Sequence, residues 1–198
     1  MAANTYLAPE ERAALESVRV GIAGAGGLGS NCAMHLVRSG VKHITIADFD
    51  VVNESNLNRQ FFFRDQIGQK KVEAVKANLL RIEPDADIRA VDIRLDASSA
   101  REIFADCGIV VEAFDAVDAK VMLVSAFASS GKKLVTASGL AGWGRSNAMR
   151  VRKMGNIVAI GDGETSVGDG AAPVSPRVGI AAAMEANSVV AMLLGKEV

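Results

Sequence analysis

The chain has 198 residues, of which 49% are hydrophobic and 23% are charged, and its formal net charge is −1. These are the proportions of an ordinary globular protein, and a chain of this length buries a full core without cross-links. A net charge this close to zero argues against nucleic acid or an anionic membrane as the main partner. We find neither an N-terminal secretion signal nor an apolar run of about 18 residues. We therefore expect one cytoplasmic domain over residues 1–198.

The chain has two cysteines, Cys32 and Cys107, and neither has a partner cysteine nearby in the sequence. Two are too few for a disulfide framework or for a zinc site with four cysteine ligands. Free cysteines usually act as small apolar side chains. We expect both of them to lie in the core.

Proline followed by two glutamates opens a short helix at residues 9–16. A β-branched run at residues 18–22 then leads into the turn GAGGLG, a helix that ends near Ser39 and a second strand at residues 43–47. This order of strand, glycine turn, helix and strand is typical of dinucleotide-binding units. The turn contains four glycines, which are Gly24, Gly26, Gly27 and Gly29.

The missing side chains of this turn let a phosphate approach the backbone. The N-terminus of the following helix then offers unpaired N–H groups and a positive dipole end to an anion. Asp48 lies 19 residues after Gly29, where such folds hydrogen-bond a ribose. The unit predicts a nucleotide site without choosing the nucleotide. The alternative is a tight turn that binds nothing, with Asp48 capping the turn that follows it.

Further along the chain, strands and helices alternate. The patterns predict a helix at residues 68–82, a strand at 87–95, a short helix capped by Asp96 or Ser98, a strand at 108–113, a helix at 118–130 and a strand at 133–137. Residues 147–152 and 157–160 then predict a β-hairpin, and residues 177–194 a last helix that stops at Gly195. We read residues 51–67 as a functional loop with a helical turn near residues 55–59, and residues 161–176 as a mobile loop.

This alternation predicts an α/β fold. We expect a Rossmann-like, mostly parallel sheet with helices on both faces and an antiparallel hairpin at the C-terminal edge. In such sheets the ligand lies beyond the carboxyl ends of the strands. The glycine turn, Asp48, the 51–67 loop and Asp115 should meet there, together with Arg59 and Lys71.

Two cations, several amide donors and an isolated aspartate suit a triphosphate with Mg²⁺ better than a nicotinamide dinucleotide. The two histidines, His35 and His43, are predicted on the first helix and at the far end of a strand, away from this edge. We therefore favour a reaction that needs charge neutralisation but no general base. Attack of an ionised carboxylate on the α-phosphorus of ATP is such a reaction.

Four motifs carry a resemblance to a known family. They are GAGGLGS at residues 24–30, IADFDVVNESNLNRQ at 46–60, GQKKVEA at 68–74 and VVEAFDA at 110–116. With these separations, the chain resembles the ThiF/MoeB/HesA group, which includes the nucleotide-binding domain of ubiquitin-activating enzymes. Its members adenylate the C-terminal glycine of a small ubiquitin-like protein, often a sulfur carrier for thiamin or molybdopterin synthesis.

The resemblance implies ATP and Mg²⁺ as cofactors and assigns the site residues. The nucleotide-binding positions would be Gly24, Gly26, Gly27, Gly29, Asp48, Ser55, Asn56, Leu57, Asn58, Arg59, Lys71, Phe114 and Asp115. Asp48 matches the ribose ligand, and Lys71 matches the lysine at the α-phosphate. Asp115 matches the aspartate that holds Mg²⁺ and is needed for adenylation. The catalytic residues would thus be Arg59, Lys71 and Asp115.

The chain also departs from the family pattern. It has none of the CxxC pairs with which many relatives bind zinc, and residues 161–176 contain no cysteine for a persulfide or thioester step. Ala116 stands where an asparagine is common, and Arg12 is the only arginine available for an N-terminal arm. The resemblance therefore implies a short type without zinc, and a homodimer.

Three functions stay open from the sequence. The leading one is adenylation of a ThiS-like sulfur carrier that ends in Gly-Gly, in thiamin biosynthesis. An NAD-dependent oxidoreductase shares the glycine turn and Asp48 but leaves the SNLNRQ motif and Lys71 unexplained. A non-catalytic module that binds a nucleotide or a ubiquitin-like protein is the third. For single residues, the alternatives are that Arg59 and Lys71 are solvated charges and that Asp115 caps the next helix.

Overall fold

The computed structural model describes residues 6–165 and 170–198. Its strands are β1 (Arg19–Ala23), β2 (His43–Asp48), β3 (Asp87–Asp92), β4 (Ile109–Glu112), β5 (Lys133–Ala137), β6 (Arg150–Met154) and β7 (Ile157–Gly161). Its α-helices are α1 (Pro9–Ser17), α2 (Gly27–Ser39), α3 (Lys71–Ile82), α4 (Ala97–Ile103), α5 (Val117–Phe127) and α6 (Ser175–Leu193).

The seven strands form one sheet in the order β3-β2-β1-β4-β5-β7-β6. Neighbouring strands are parallel except β6 and β7, which pair antiparallel at the edge. This confirms the predicted fold class and the hairpin. The chain runs outward from β1 to β3 and then returns to β4 on the other side of β1. A crevice forms where the strand order reverses in this way, at the carboxyl ends of the strands.

Two hydrophobic clusters cover the two faces of the sheet. One contains side chains of α2, α3 and α6, among them Leu36, Leu79 and Val189. The other contains side chains of α4 and α5 with Phe104. The interior strand β1 fits between them because Gly21 has no side chain: a Cβ there would lie 2.6 Å from Cδ1 of Phe104.

Several predicted boundaries are confirmed and others move. Asp96 caps α4 by accepting two backbone N–H groups at 2.8 Å, and β5 has the predicted bounds. Helix α3 begins three residues later than predicted, because Gly68 has a left-handed φ of 88° and Lys70 forms a bridge with Val51. Strand β6 also begins later, because Ser146–Ala148 form a 3₁₀ turn.

Other differences are small. Strand β3 ends at Asp92 and α5 ends at Phe127, each before its predicted end, whereas α6 begins at Ser175, before its predicted start. The predicted mobile loop at 161–176 includes residues 166–169, which lie outside the described residues. Among the helices of the described ranges, none has both the length and the apolar character that a membrane crossing requires.

The two cysteines lie in the core, as predicted. Cys32 and Cys107 are free thiols and buried. Burial is the main cause that raises the pKa of both thiols, that of Cys107 to about 11. A thiol with a raised pKa is a poor nucleophile, which agrees with a packing role.

Glu185 on α6 is a buried carboxyl group of the core. It is 0% exposed, and neither of its oxygens has a hydrogen-bond partner within the described chain. Burial raises the pKa of this carboxyl well above its usual value, and the nearby Glu112 carboxylate raises it further, although Lys120 opposes the shift. The folded protein therefore holds a proton on Glu185 at a pH where the unfolded chain has lost it.

The pH dependence of stability tests this proton. Because the pKa of Glu185 is raised in the folded state, its contribution is fully present below about pH 4.5 and is lost as the pH rises toward the folded pKa. Glu185→Gln is neutral at every pH. We expect the free energy of unfolding of the wild type to fall relative to that of Glu185→Gln, by at most about 1.4 kcal/mol per pH unit.

Urea unfolding of both proteins between pH 5 and pH 8 measures this difference. Glu73→Gln, at an exposed position of α3, is the matched control and should run parallel to the wild type. Curves for the wild type and Glu185→Gln that also run parallel would show that Glu185 ionises alike in the folded and unfolded states.

Candidate functional site

The glycine turn joins β1 to α2 through a backbone path that side chains would block. Gly24 has a left-handed φ of 104°, and a Cβ there would lie 2.8 Å from the carbonyl oxygen of Ala113. A Cβ on Gly29 would overlap the carbonyl oxygen of Gly24. Gly26, the N-cap of α2, makes no side-chain capping bond. The first turn of α2 can therefore present its N–H groups to an anion.

Asp48 connects this turn to the end of β2. Its Oδ2 accepts the backbone N–H of Ala25 at 2.6 Å, and its Oδ1 accepts that of Asp50 at 2.8 Å. The capping contact that we considered as an alternative role is thus present. It does not exclude a ribose, because each carboxylate oxygen has a second lone pair.

The segment at residues 51–67 lies against the first turn of α2. The side-chain amide of Asn31 donates to the carbonyl oxygen of Arg59 at 2.9 Å, and the N–H of Phe61 donates to Oγ of Ser30 at 3.0 Å. Phe62 is buried, and Leu57 packs against the larger core cluster. These contacts hold the segment at the mouth of the glycine turn.

Within this segment the predicted helical turn is a 3₁₀ turn at Glu54–Asn56, slightly earlier than expected. The side chain of Asn56 accepts the N–H of Asn53 at 3.0 Å and so stabilises the turn. The guanidinium of Arg59 donates to Oδ1 of Asn58 at 2.8 Å and to the carbonyl oxygen of Ser55 at 3.4 Å. Asn56 and Asn58 thus shape the loop around the arginine.

Arg59 brings an unneutralised positive charge to the glycine turn. A Cβ on Gly27 would lie 3.6 Å from Cγ of Arg59. The contacts of the described residues include no ion pair for this guanidinium. Its charge is therefore available to an anion at the turn.

Lys71 is the first residue of α3, and its side chain is only 7% exposed. Its Nζ lies 2.8 Å from Oδ2 of Asp50. The alternative of an exposed helix-start lysine is therefore wrong for Lys71 and fits Lys70, which is 48% exposed and pairs with Asp92. Asp50 received no role in our sequence analysis, although it is the second aspartate of the motif DFD.

Asp115 follows β4 on the other side of the glycine turn. Cδ1 of Phe114 would lie 3.4 Å from a Cβ on Gly24, so the segment after β4 touches the turn. Asp115 is exposed, and the N-cap of α5, Ala116, has no side-chain capping bond. Capping of α5 by Asp115 therefore has no support among the described contacts.

A buried ion pair fixes the segment that carries Asp115. Glu112 is 0% exposed and accepts Nζ of Lys120 at 3.0 Å and Oγ1 of Thr136 at 2.5 Å. It also accepts the backbone N–H of Phe114 at 2.8 Å. The two ends of the turn between β4 and α5 are thus joined by one carboxylate, which sequence patterning did not reveal.

The described residues contain no group of three or more His, Cys, Asp or Glu that could hold a metal ion. Mg²⁺ does not need such a group, since it is commonly bound by one or two carboxylates together with substrate phosphates. An exposed Asp115 next to Phe114, which touches the glycine turn, fits that mode. It does not fit a metal held by protein ligands alone.

A second buried ion pair brings α6 to the same place. Arg177 is 3% exposed, pairs with Asp162 and donates to the carbonyl oxygen of Gly144 at 2.7 Å. The next residue is Val178, and a Cβ added to Gly27 would lie 2.9 Å from its Cγ1. The start of α6 therefore packs on the glycine turn, and the sequence analysis did not foresee this contact.

Comparison with known proteins agrees with these features. The adenylyltransferase and sulfurtransferase UBA4 of Eremothecium gossypii is 35% identical over 127 residues, which is 64% of this chain and 29% of that protein. The molybdopterin-synthase adenylyltransferase of Salmonella typhimurium is 37% identical over 115 residues, 58% of this chain and 46% of that protein. The chain thus matches less than half the length of these relatives.

Among solved structures, the E. coli tRNA N6-threonylcarbamoyladenosine dehydratase TcdA in complex with AMP has a TM-score of 0.86 over 94% of this chain and 90% of that one. The same enzyme in complex with ATP has a TM-score of 0.82. At 19% and 21% identity these likenesses show the fold alone. The profile of the ThiF family matches residues 2–198, and the chain therefore belongs to the ThiF family.

Proposed function

We propose that this chain is an adenylyltransferase that uses ATP and Mg²⁺ to activate the C-terminal glycine of a small ubiquitin-like sulfur carrier protein. One observation carries the proposal: Arg59 and the Phe114–Asp115 segment lie against the glycine turn, and the buried Lys71 is connected to the same turn through Asp48 and Asp50. The names of the relatives support the reaction class, since both are adenylyltransferases.

In this proposal each group meets a different part of ATP. The backbone N–H groups at the start of α2 and the guanidinium of Arg59 bind phosphate oxygens. Asp48 accepts a ribose hydroxyl with its remaining lone pairs. Lys71 neutralises charge at the α-phosphate, and Asp115 would hold Mg²⁺, which neutralises the triphosphate.

The reaction is a substitution at phosphorus. The ionised carboxylate of the carrier's last glycine attacks the α-phosphorus, the bond to the bridging oxygen breaks, and pyrophosphate leaves with the electron pair. The products are an acyl adenylate and pyrophosphate. The nucleophile already carries its charge, so no general base is required. This agrees with the positions of His35 on α2 and of His43, which contacts Asp87 at the opposite end of β2.

The finer parts of the proposal rest on the family resemblance. We propose a ThiS-like carrier that ends in Gly-Gly, a role in thiamin biosynthesis and a homodimer. A panel of purified ubiquitin-like proteins that end in Gly-Gly identifies the carrier through ATP–pyrophosphate exchange, and sedimentation of the full chain measures its oligomeric state. A preference for NADH over Mg-ATP in calorimetry would favour the oxidoreductase instead.

We expect loss of charge in the crevice to slow the exchange. Arg59→Ala and Lys71→Met should each lower its rate by about 100-fold or more, because both charges stabilise the transition state. Asp115→Asn should lower it by at least as much and raise the Mg²⁺ concentration needed for half-maximal rate. The measurement is exchange of labelled pyrophosphate into ATP with the most active carrier of the panel.

Asp118→Asn is the matched control, since Asp118 is exposed on the first turn of α5. It should leave the exchange rate unchanged. An exchange rate in Asp115→Asn equal to that of the wild type would contradict the assigned metal role. Absence of exchange with every carrier, while Mg-ATP still binds, would leave the non-catalytic module.

Two glycine variants distinguish the contribution of the turn to stability from its contribution to Mg-ATP binding. A Cβ on Gly29 overlaps the backbone of Gly24, so we expect Gly29→Ala to lower Tm by roughly 5–10 °C. A Cβ on Gly26 meets only Nε2 of Gln60 at 3.8 Å, so Gly26→Ala should keep its Tm. The methyl group that Gly26→Ala adds would nevertheless occupy the position proposed for a phosphate, and so it should weaken Mg-ATP binding.

Thermal unfolding and calorimetric titration with Mg-ATP measure the two effects. Gly68→Ala is a control for strain without ligand contact, because Gly68 has a left-handed φ of 88° and no neighbour within 4 Å of its Cβ position. Unchanged Mg-ATP affinity in Gly26→Ala would place the phosphates elsewhere.

A further inference from the structure

Asp50 lies two residues beyond the end of β2 and contacts Lys71 twice. Its Oδ2 lies 2.8 Å from Nζ of the lysine, and its carbonyl oxygen accepts the lysine N–H at 2.9 Å. The lysine side chain is nearly buried, whereas the aspartate side chain is 46% exposed. One residue therefore fixes both the start of α3 and the ammonium group.

Asp50 is in turn fixed by the glycine turn. Its N–H donates to Oδ1 of Asp48 at 2.8 Å, and Oδ2 of Asp48 accepts the N–H of Ala25 at 2.6 Å. A continuous chain of contacts thus runs from Ala25 through Asp48 and Asp50 to Lys71. The ammonium keeps a fixed position relative to the turn at which the phosphates are proposed to bind.

A nearly buried ammonium needs an anionic partner. Across residues 6–165 and 170–198, Asp50 is the carboxylate that pairs with Lys71. A phosphate oxygen that reaches Lys71 therefore meets a charge that is already oriented. Little reorganisation remains when negative charge develops on the transferred phosphoryl group, which is how fixed charges lower a barrier.

We propose that Asp50 is a positioning residue that holds the ammonium of Lys71 toward the α-phosphate of ATP. The inference rests on the adenylation proposed above. Because Asp50 acts through Lys71, its loss should affect the chemical step more than the binding of ATP. The rate constant kcat should therefore change more than KM for ATP.

The neighbouring ion pair provides a matched control. Lys70 and Asp92 lie 3.1 Å apart and are 48% and 43% exposed. Asp92→Asn therefore removes an aspartate–lysine pair one residue away in the sequence, where the lysine is solvated. Any general effect of lost charge on this part of the surface should appear in both variants.

The experiment compares Asp50→Asn, Asp50→Glu and Asp92→Asn in ATP–pyrophosphate exchange, with the most active carrier of the panel. We expect Asp50→Asn to lower kcat roughly 10- to 100-fold with KM for ATP within about threefold of the wild type. Asp50→Glu keeps the carboxylate and should recover part of the loss. Asp92→Asn should match the wild type.

A double-mutant cycle shows whether Asp50 acts through Lys71. In the Lys71→Met background, Asp50→Asn should have no further effect on kcat. This double variant also removes the unpaired ammonium, so it keeps the test valid if Asp50→Asn alone unfolds. Thermal unfolding of each variant identifies such a loss of structure.

If the wild type catalyses exchange, any one of four results would overturn this inference and leave the proposed adenylation standing. They are equal kcat in Asp50→Asn and Asp92→Asn, an effect of Asp50→Asn that persists in the Lys71→Met background, no recovery in Asp50→Glu, and a parallel loss of kcat and ATP affinity. A wild type without exchange would overturn the adenylation and this inference together.

Discussion

The carboxylate of Asp48 is the contact on which the geometry of the crevice depends. It accepts one N–H from the glycine turn, at Ala25, and one from the segment after β2, at Asp50. Two loops that leave different strands are therefore fixed relative to each other by a single charged acceptor. Hydrogen bonds to a charged acceptor are stronger than neutral ones, so this junction is stiff. It also leaves the carboxylate in a fixed orientation for the ribose that we propose it binds.

The charges around the crevice are of two kinds. Lys71, Glu112 and Arg177 are buried, and each has an oppositely charged partner. Breaking a pair that is buried on both sides costs about 3–5 kcal/mol, and Arg177–Asp162 is such a pair. Water screens the other two pairs more, since Asp50 and Lys120 are partly exposed. Each pair joins one element, or the segment after it, to a helix that follows it in the chain: the end of β2 to α3, β4 to α5, and the segment after β7 to α6.

Local patterns in the sequence predicted the elements and their order well. The glycine turn, the capping of α4 by Asp96 and the hairpin at the sheet edge each depend on neighbouring residues, so their signals are visible in short windows. The exact start of α3 was missed, because the bridge of Lys70 with Val51 competes with the first turn of the helix.

The site was only partly predictable for the same reason. The motifs indicated which residues surround the crevice, but not the burial of Lys71 or its pairing with Asp50. Nor did they indicate the contact of Val178 with the glycine turn. These contacts join residues 21 and 151 positions apart (71 minus 50, and 178 minus 27), and no periodicity or spacing rule relates such positions. Only the tertiary fold brings them together.

The second kind of charge is represented by Arg59, which is partly exposed, and Asp115, which is exposed. A solvated charge costs little to leave unpaired, since water already stabilises it. A buried charge such as that of Lys71 must instead be paired before any ligand arrives. The crevice can thus be stable without a ligand: its inner cation is already neutralised and oriented, and its outer cation and carboxylate remain available to the triphosphate and metal ion that we propose. A ligand that carries both charges, an anion with a bound cation, satisfies both outer groups at once, whereas a ligand with a single charge satisfies only one.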